Sequence, residues 1–259
     1  MNRIDKLFAN KKDNILSVYF TAGFPQVDDT TTIIKELENN EVDLIEIGMP
    51  FSDPMADGPV IQQSSHQALL NGMSLHKLFD QLKDIRKIVD IPLILMGYLN
   101  PVLRFGMDAF LSECSKTGID GIILPDLPLL EYTTNYAARF KQHDVHNIFL
   151  ISPQTNEDRI RLIDQAGSGF IYMVSSASIT GSRKGISEQQ KAYFSRIQNM
   201  NLKNPALIGF GISDHETFST ACEYAQGAII GSAFINAISD KTNLQESIKG
   251  FIQHIKNDN

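Results

Sequence analysis

Eight short β-rich runs, most of them apolar on both faces, recur along the chain with longer helix-patterned segments between them, and few folds admit that alternation. A strand that is apolar on both faces needs cover on both. Parallel strands obtain it when crossover helices lie outside and packed side chains lie inside. The runs are Leu16 to Thr21, Leu44 to Gly48, Leu93 to Gly97, Gly121 to Leu124, Ile148 to Ser152, Phe170 to Val174, Ala206 to Phe210 and Ala228 to Gly231. Helical spacing covers Thr30 to Leu37, Leu75 to Val89, Met107 to Lys116, Glu131 to Phe140, Asp158 to Gln165, Gln189 to Ile197 and Glu216 to Tyr224. Leu244 to Ile255 closes the series with Leu244, Ile248, Phe251, Ile252 and Ile255 on one stripe.

This pattern predicts an α/β chain forming a single (β/α)8 TIM barrel over residues 1–259, with extra helices and long loops after strands 2 and 6. The fold alternative is a doubly wound open sheet, but no GxGxxG turn follows strand 1. The two long connections, Met49 to Gly72 and Ser175 to Ser187, open on the same face in a barrel. That face, at the strand C-termini, is where barrel enzymes build their sites.

A net charge of −7 and a pI near 5.3 disfavour an extended nucleic-acid surface, which needs clustered Lys and Arg. A small anion held by backbone N–H groups remains compatible with them. The N-terminus lacks a signal-peptide apolar core and the apolar runs are too short to span a bilayer, so the chain is expected to be cytoplasmic. Cys114 and Cys222 have no CxxC spacing and read as reduced thiols. The six histidines lack paired ligand spacing and no lysine falls within a strand run, so neither a metal site nor a Schiff-base lysine is expected.

What remains is acid–base work by carboxylates. Glu46 lies inside strand 2, where an ionisable group is expensive unless it is used or paired. Asp57 follows eleven residues later in Asp53-Pro54-Met55-Ala56-Asp57-Gly58-Pro59, as a wetter loop carboxylate or as a turn former. Two carboxylates of unlike surroundings suit proton transfer, and both are expected to be ionised. At the other side of the mouth, Gly209-Phe210-Gly211-Ile212-Ser213 and Gly231-Ser232 end strands 7 and 8, where phosphorylated ligands are often seated; tight turns alone are the other reading. Ser213 and Glu216 have capping-box spacing for the next helix. Residues Ile179 to Gly185 form a small, polar, glycine-flanked stretch that suits a lid or a surface loop.

Taken together, these segments resemble one family closely: the alpha subunit of tryptophan synthase. The likeness is carried by Phe20-Thr21-Ala22-Gly23-Phe24-Pro25, by Glu46-Ile47-Gly48-Met49-Pro50-Phe51-Ser52-Asp53-Pro54 running into Ala56-Asp57-Gly58-Pro59, and by Tyr98-Leu99-Asn100-Pro101. Pro125-Asp126-Leu127-Pro128, Thr180-Gly181, Gly209 to Ser213 and Gly231-Ser232-Ala233 extend it to strand 8.

The resemblance implies retro-aldol cleavage of indole-3-glycerol phosphate to indole and glyceraldehyde 3-phosphate. In it Glu46 is the general acid–base, and Asp57 stabilises charge on the indole N–H. Tyr172, Thr180 and Phe210 match substrate-binding positions, and Gly181, Gly211, Gly231 and Ser232 match the phosphate site. It also implies no cofactor in this chain. The implied partner is a pyridoxal-phosphate beta subunit in an alpha2-beta2 heterotetramer, docked on segments that include Asp53, Pro54, Asn100 and Pro128. The chain departs from the family pattern at Ser176 and Ser178, where many members carry arginine and glycine. Rival readings are an indole-glycerol-phosphate synthase, which wants a strand lysine, a sugar-phosphate epimerase, which wants metal-binding histidines, and a non-catalytic activating barrel.

Overall fold

In the computed structural model, which describes residues 1–174, 186–209, 211–240 and 243–257, eight parallel strands close into a barrel in sequence order. They are β1 (Ile15–Thr21), β2 (Leu44–Gly48), β3 (Leu93–Met96), β4 (Gly121–Ile123), β5 (His146–Ile151), β6 (Ile171–Val174), β7 (Ala206–Gly209) and β8 (Gly227–Ile230). The circle closes where β8 pairs with β1, Ile15 lying opposite Gly227 and Val18 opposite Ile230. A Cβ at Gly227 would sit 2.0 Å from the Ile15 carbonyl oxygen, so this seam requires glycine.

The strands divide their apolar residues as the double-faced pattern demands. One set, including Tyr19, Leu44, Ile94, Met96, Ile123, Ile148, Tyr172, Leu207 and Ile229, packs inside the barrel. The alternate set, including Val18, Phe20, Ile45, Ile47, Leu95, Ile122 and Ile208, packs under the surrounding helices. The final helix, Leu244–Lys256, buries Ile248, Ile252 and Ile255 from the expected stripe and leaves Leu244 and Phe251 half-buried.

The N-terminal end of the barrel is plugged by a helix, Arg3–Asn10, that periodicity did not reveal; it inserts Ile4 fully and packs the Phe8 ring at a tilt against Phe170, centroids 5.9 Å apart. Asp120 ties this end together. Its carboxylate accepts from Arg86 Nη2 at 2.6 Å, Arg3 Nη1 at 3.1 Å and the Leu93 amide at 2.9 Å, while its carbonyl accepts from Asn2 Nδ2.

The expected extra helix after β2 is Pro59–Leu70, whose buried face of Ile61, Ser64, Ser65 and Ala68 is too polar to read as an apolar stripe, and three local expectations change. Leu75 to Val89 is a helix over Leu75–Leu82 and a separate 3-10 turn at Ile85–Lys87. Glu131 to Phe140 contains a π turn at Tyr132–Tyr136 before the helix Ala137–Gln142. The helix after β7 is capped by Asp214 rather than Ser213: the Asp214 carboxylate accepts from the Thr217 amide at 2.9 Å, one residue later than the Ser213 and Glu216 spacing suggests. Most of the connection after β6 lies outside the described residues. Among those described, no helix is long and apolar enough to cross a membrane.

Because Arg86 is largely enclosed beside Asp120, Asp120→Ala leaves a cation without its partner. The expected loss of stability is about 3 kcal/mol in urea unfolding, with the site at the opposite end intact in the folded fraction. A loss below about 1 kcal/mol contradicts this account of the network.

Candidate active site

Glu46 occupies the middle of β2, between the inward-facing Leu44 and Gly48, and is fully buried. Its register partners are Tyr19 on β1 and Ile94 on β3. Ser17 Oγ donates to Glu46 Oε1 at 2.9 Å, while Oε2 has no hydrogen-bond partner among the described residues. Burial pushes the carboxyl up to about 8, with the Ser17 hydrogen bond opposing the shift. At neutral pH Glu46 is therefore a protonated acid. This corrects the expectation of an ionised pair.

Asp57 lies in the turn before helix Pro59–Leu70 and is folded back over the mouth. Its own amide donates to the Pro54 carbonyl and its carbonyl accepts from Gln62 Nε2 at 2.9 Å, which pins the backbone on both sides. The residue is 7% exposed, so the loop carboxylate is drier than the sequence suggested. Tyr98 Oη donates to Asp57 Oδ2 at 2.9 Å and accepts from the Ala56 amide at 3.0 Å. Burial lifts Asp57 to about 6 against the lowering effect of Tyr98. Burial therefore raises Glu46 further than Asp57, so that near neutral pH the proton is favoured on Glu46 and the charge on Asp57.

Two tyrosines complete the inner wall. Tyr172, on β6, is buried, and its phenol is raised well above the ordinary range by burial and by the nearby Glu46 and Asp57. Tyr19, on β1, is raised by burial and by Asp57, Tyr98 and Glu46 in turn. Each ring is admitted by a glycine on a neighbouring strand. A Cβ at Gly48 would lie 2.1 Å from the Tyr19 hydroxyl oxygen, and one at Gly209 would lie 2.3 Å from that of Tyr172. Tyr19, Met49, Pro54, Asp57, Met96, Gly97 and Tyr98 line a narrow cleft at this end.

Across the mouth, Gly211 has φ of +78°, which favours glycine, and Gly231 precedes the short helix Ser232–Ala237. A Cβ at Gly231 would meet Tyr19 Cδ1 at 3.5 Å, so this turn lies beside the inner wall. Thr180, Gly181 and Phe210, together with Ser176 and Ser178, lie outside the described residues. Asp53, Asn100 and Pro128 are exposed and Pro54 is half-buried, all on the connections after β2, β3 and β4, with Asn100 in the first turn of the helix Leu99–Phe105. The structure thus brings Glu46, Asp57 and Tyr172 to one end of the barrel. Sequence reading missed Ser17, Tyr19 and the role of Tyr98. Ser17 and Tyr19 were legible only as alternate inward positions of β1, and Tyr98 only as part of a motif. No cluster of three or more potential metal-ligating His, Cys, Asp or Glu side chains occurs among the described residues.

A (β/α)8 barrel with two enclosed carboxyl groups, one inside β2 and one on the loop that follows it, has the form of a barrel enzyme suited to acid–base chemistry. The family model for the tryptophan synthase alpha chain matches residues 6–257. The alpha chain of Flavobacterium johnsoniae is 59% identical over 241 residues, spanning 93% of this chain and 94% of that protein. The crystal structure of the Legionella pneumophila alpha chain superposes with a TM-score of 0.88 at 32% identity, covering 99% of this chain and 96% of the other. A chain of the tryptophan synthase complex from Pyrococcus furiosus gives 0.86 at 32% identity, with 95% and 99% covered. This chain belongs to the tryptophan synthase alpha chain family.

The raised Glu46 carboxyl has a thermodynamic consequence. A carboxyl whose folded-state value lies near 8 rather than 4.5 favours the folded form while protonated, and that contribution is lost as pH rises from about 4.5 to about 8. Glu46→Gln removes the loss. Its unfolding free energy relative to the parent is expected to rise by on the order of 4 kcal/mol between pH 5 and pH 8.5 and to level off above. A difference independent of pH contradicts the buried, protonated acid.

Proposed function

We propose that the chain is the alpha subunit of a tryptophan synthase and cleaves indole-3-glycerol phosphate to indole and glyceraldehyde 3-phosphate, with Glu46 and Asp57 carrying the chemistry. The observation that carries this reading is the placement of two enclosed carboxyl groups in one barrel mouth, Glu46 fully buried against Ser17 and Asp57 held by Tyr98. Glu46 gives its proton to indole C3, and the ring becomes an indolenine that accepts the electron pair of the breaking C3–C bond. The resulting carboxylate then takes the proton of the side-chain hydroxyl as that carbon becomes the aldehyde, so Glu46 ends in the state in which it began. Asp57, ionised, accepts from the ring N–H and stabilises the positive charge that forms on the nitrogen. The inner wall of Tyr172 and Tyr19 suits an aromatic ring bearing one polar edge, and Phe210 and Thr180 are assigned to substrate binding on the family resemblance alone.

The phosphate is assigned to Gly181, Gly211, Gly231 and Ser232, on the side of the mouth where barrels seat phosphoryl groups at the loops after strands 7 and 8. Residues 1–259 are read as one barrel domain that acts without a cofactor of its own in the cytoplasm. The partner is the beta subunit, which holds pyridoxal phosphate and uses the indole, in an alpha2-beta2 assembly. Docking on Asp53, Pro54, Asn100 and Pro128 is supported by the exposed apolar residues on the connections after β2 and β4, Met55 at 87% and Leu130 at 76%.

Glu46→Gln and Asp57→Asn are each expected to lower the rate of indole formation by about 100-fold or more with the fold retained. The parent enzyme is expected to show a bell-shaped profile. Activity rises with pH as Asp57 ionises near 6 and falls as Glu46 loses its proton near 8. Addition of the beta subunit is expected to raise turnover by about tenfold or more, since docking orders the same loops. Near-parent activity in both variants overturns the carboxylate assignment, and equal rates with and without the partner overturn the coupling.

A further inference from the structure

One polar side chain inside the barrel has no part in the chemistry above. Ser17 lies on the inner face of β1, two residues before Tyr19, and is fully buried. It is opposite Leu44 in the β1–β2 register, one inward step below Glu46, and the flanking inner positions Ile15, Leu44 and Ile94 are apolar. A hydroxyl placed there needs a partner, and its partner is Glu46 Oε1 at 2.9 Å. Ser17 is the one hydrogen-bond donor to the Glu46 carboxyl group among the described residues, and Oε2 is left open.

We propose that Ser17 is the positioning residue of the general acid–base: it holds Oε1 in a fixed rotamer, leaves Oε2 as the oxygen that delivers and recovers the proton, and stabilises the carboxylate formed between the two transfers. This rests on the role assigned to Glu46. A hydroxyl donates more strongly to a carboxylate than to a neutral acid, so the bond tightens as the proton leaves for C3. An interaction that grows during the chemical step raises kcat and has little effect on KM. The same bond holds Glu46 lower than burial alone would set it.

Among the described residues, the titratable groups coupled to Glu46 are Tyr19 from β1 and Tyr172 from β6, both of which also feel Asp57 from the loop after β2, while β3 presents Ile94. Both phenols are pushed above their ordinary range and stay neutral across the working pH. The alkaline limb of the rate profile therefore reports on Glu46.

The test uses the full chain with its beta subunit and follows glyceraldehyde 3-phosphate release from indole-3-glycerol phosphate between pH 6 and pH 10. Ser17→Ala is expected to lower kcat by about 10- to 100-fold, to leave KM within about twofold, and to move the alkaline limb upward by about one pH unit. Ser17→Thr, which keeps the hydroxyl, is expected to return the limb to its parent position. Ser17→Cys nearly keeps the volume but donates weakly; it is expected to fall between parent and Ala, and it carries the test if the Ala variant does not fold. An alkaline limb that stays in place in both Ala and Cys variants overturns the proposal, whatever happens to the rate. Glu46→Gln in the same series separates the two ideas. If it keeps near-parent turnover, the reading of Glu46 fails; if it is inactive while Ser17→Ala behaves as the parent, Ser17 alone is misassigned.

Discussion

Glu46 is enclosed in the inner layer of the barrel, with Ser17 as its donor and Tyr19 and Tyr172 nearby, and removal from water costs a carboxylate far more than a neutral acid. The proton therefore stays on the group at neutral pH. That retained proton keeps a weak acid available at neutral pH and makes its conjugate base correspondingly more basic, which is what the proposed proton transfer and recovery require. Asp57 lies less deeply and has Tyr98 as a donor, so its carboxyl is raised less. One fold thus separates two carboxyl groups into an acid and an anion through burial and one phenol.

Packing fixes the shape of that layer. Tyr19 and Tyr172 enter the barrel interior because Gly48 and Gly209 leave no Cβ in their way, and a side chain at either glycine displaces a ring from the wall beside the carboxyl groups. The opposite end is closed by Ile4 and the Asp120 network, so stability is concentrated at the N-terminal end of the strands and chemistry at the C-terminal end. Loops after β2, β3 and β4 are linked by side-chain bonds, Tyr98 to Ala56 and Leu99 to Asp126. A partner seated on these loops therefore acts on the backbone that carries Asp57.

The barrel was legible because its strands are apolar on both faces and short, a pattern that few other elements produce. Glu46 stood out for the same reason, as a charge in an apolar run. Helix Pro59–Leu70 did not read as a stripe because serines fill its buried face, and helix Arg3–Asn10 was hidden by its charges although Ile4 and Phe8 are its anchors. The protonation of Glu46 and the dryness of Asp57 are properties of enclosure, set by strands and loops distant in sequence, and no local pattern encodes them. Ser17 was missed because a serine in a strand has no local mark of function; only the β1–β2 register places it beside Glu46.

The central claim is that the resting enzyme holds Glu46 as a protonated acid. Site-resolved carbon NMR of the glutamate carboxyl groups, assigned with Glu46→Gln, measures this without turnover. The account predicts that the Glu46 signal titrates near 8 and is that of the neutral acid at pH 6.5. A midpoint near the ordinary glutamate value of about 4.3, with the carboxylate signal at neutral pH, contradicts it.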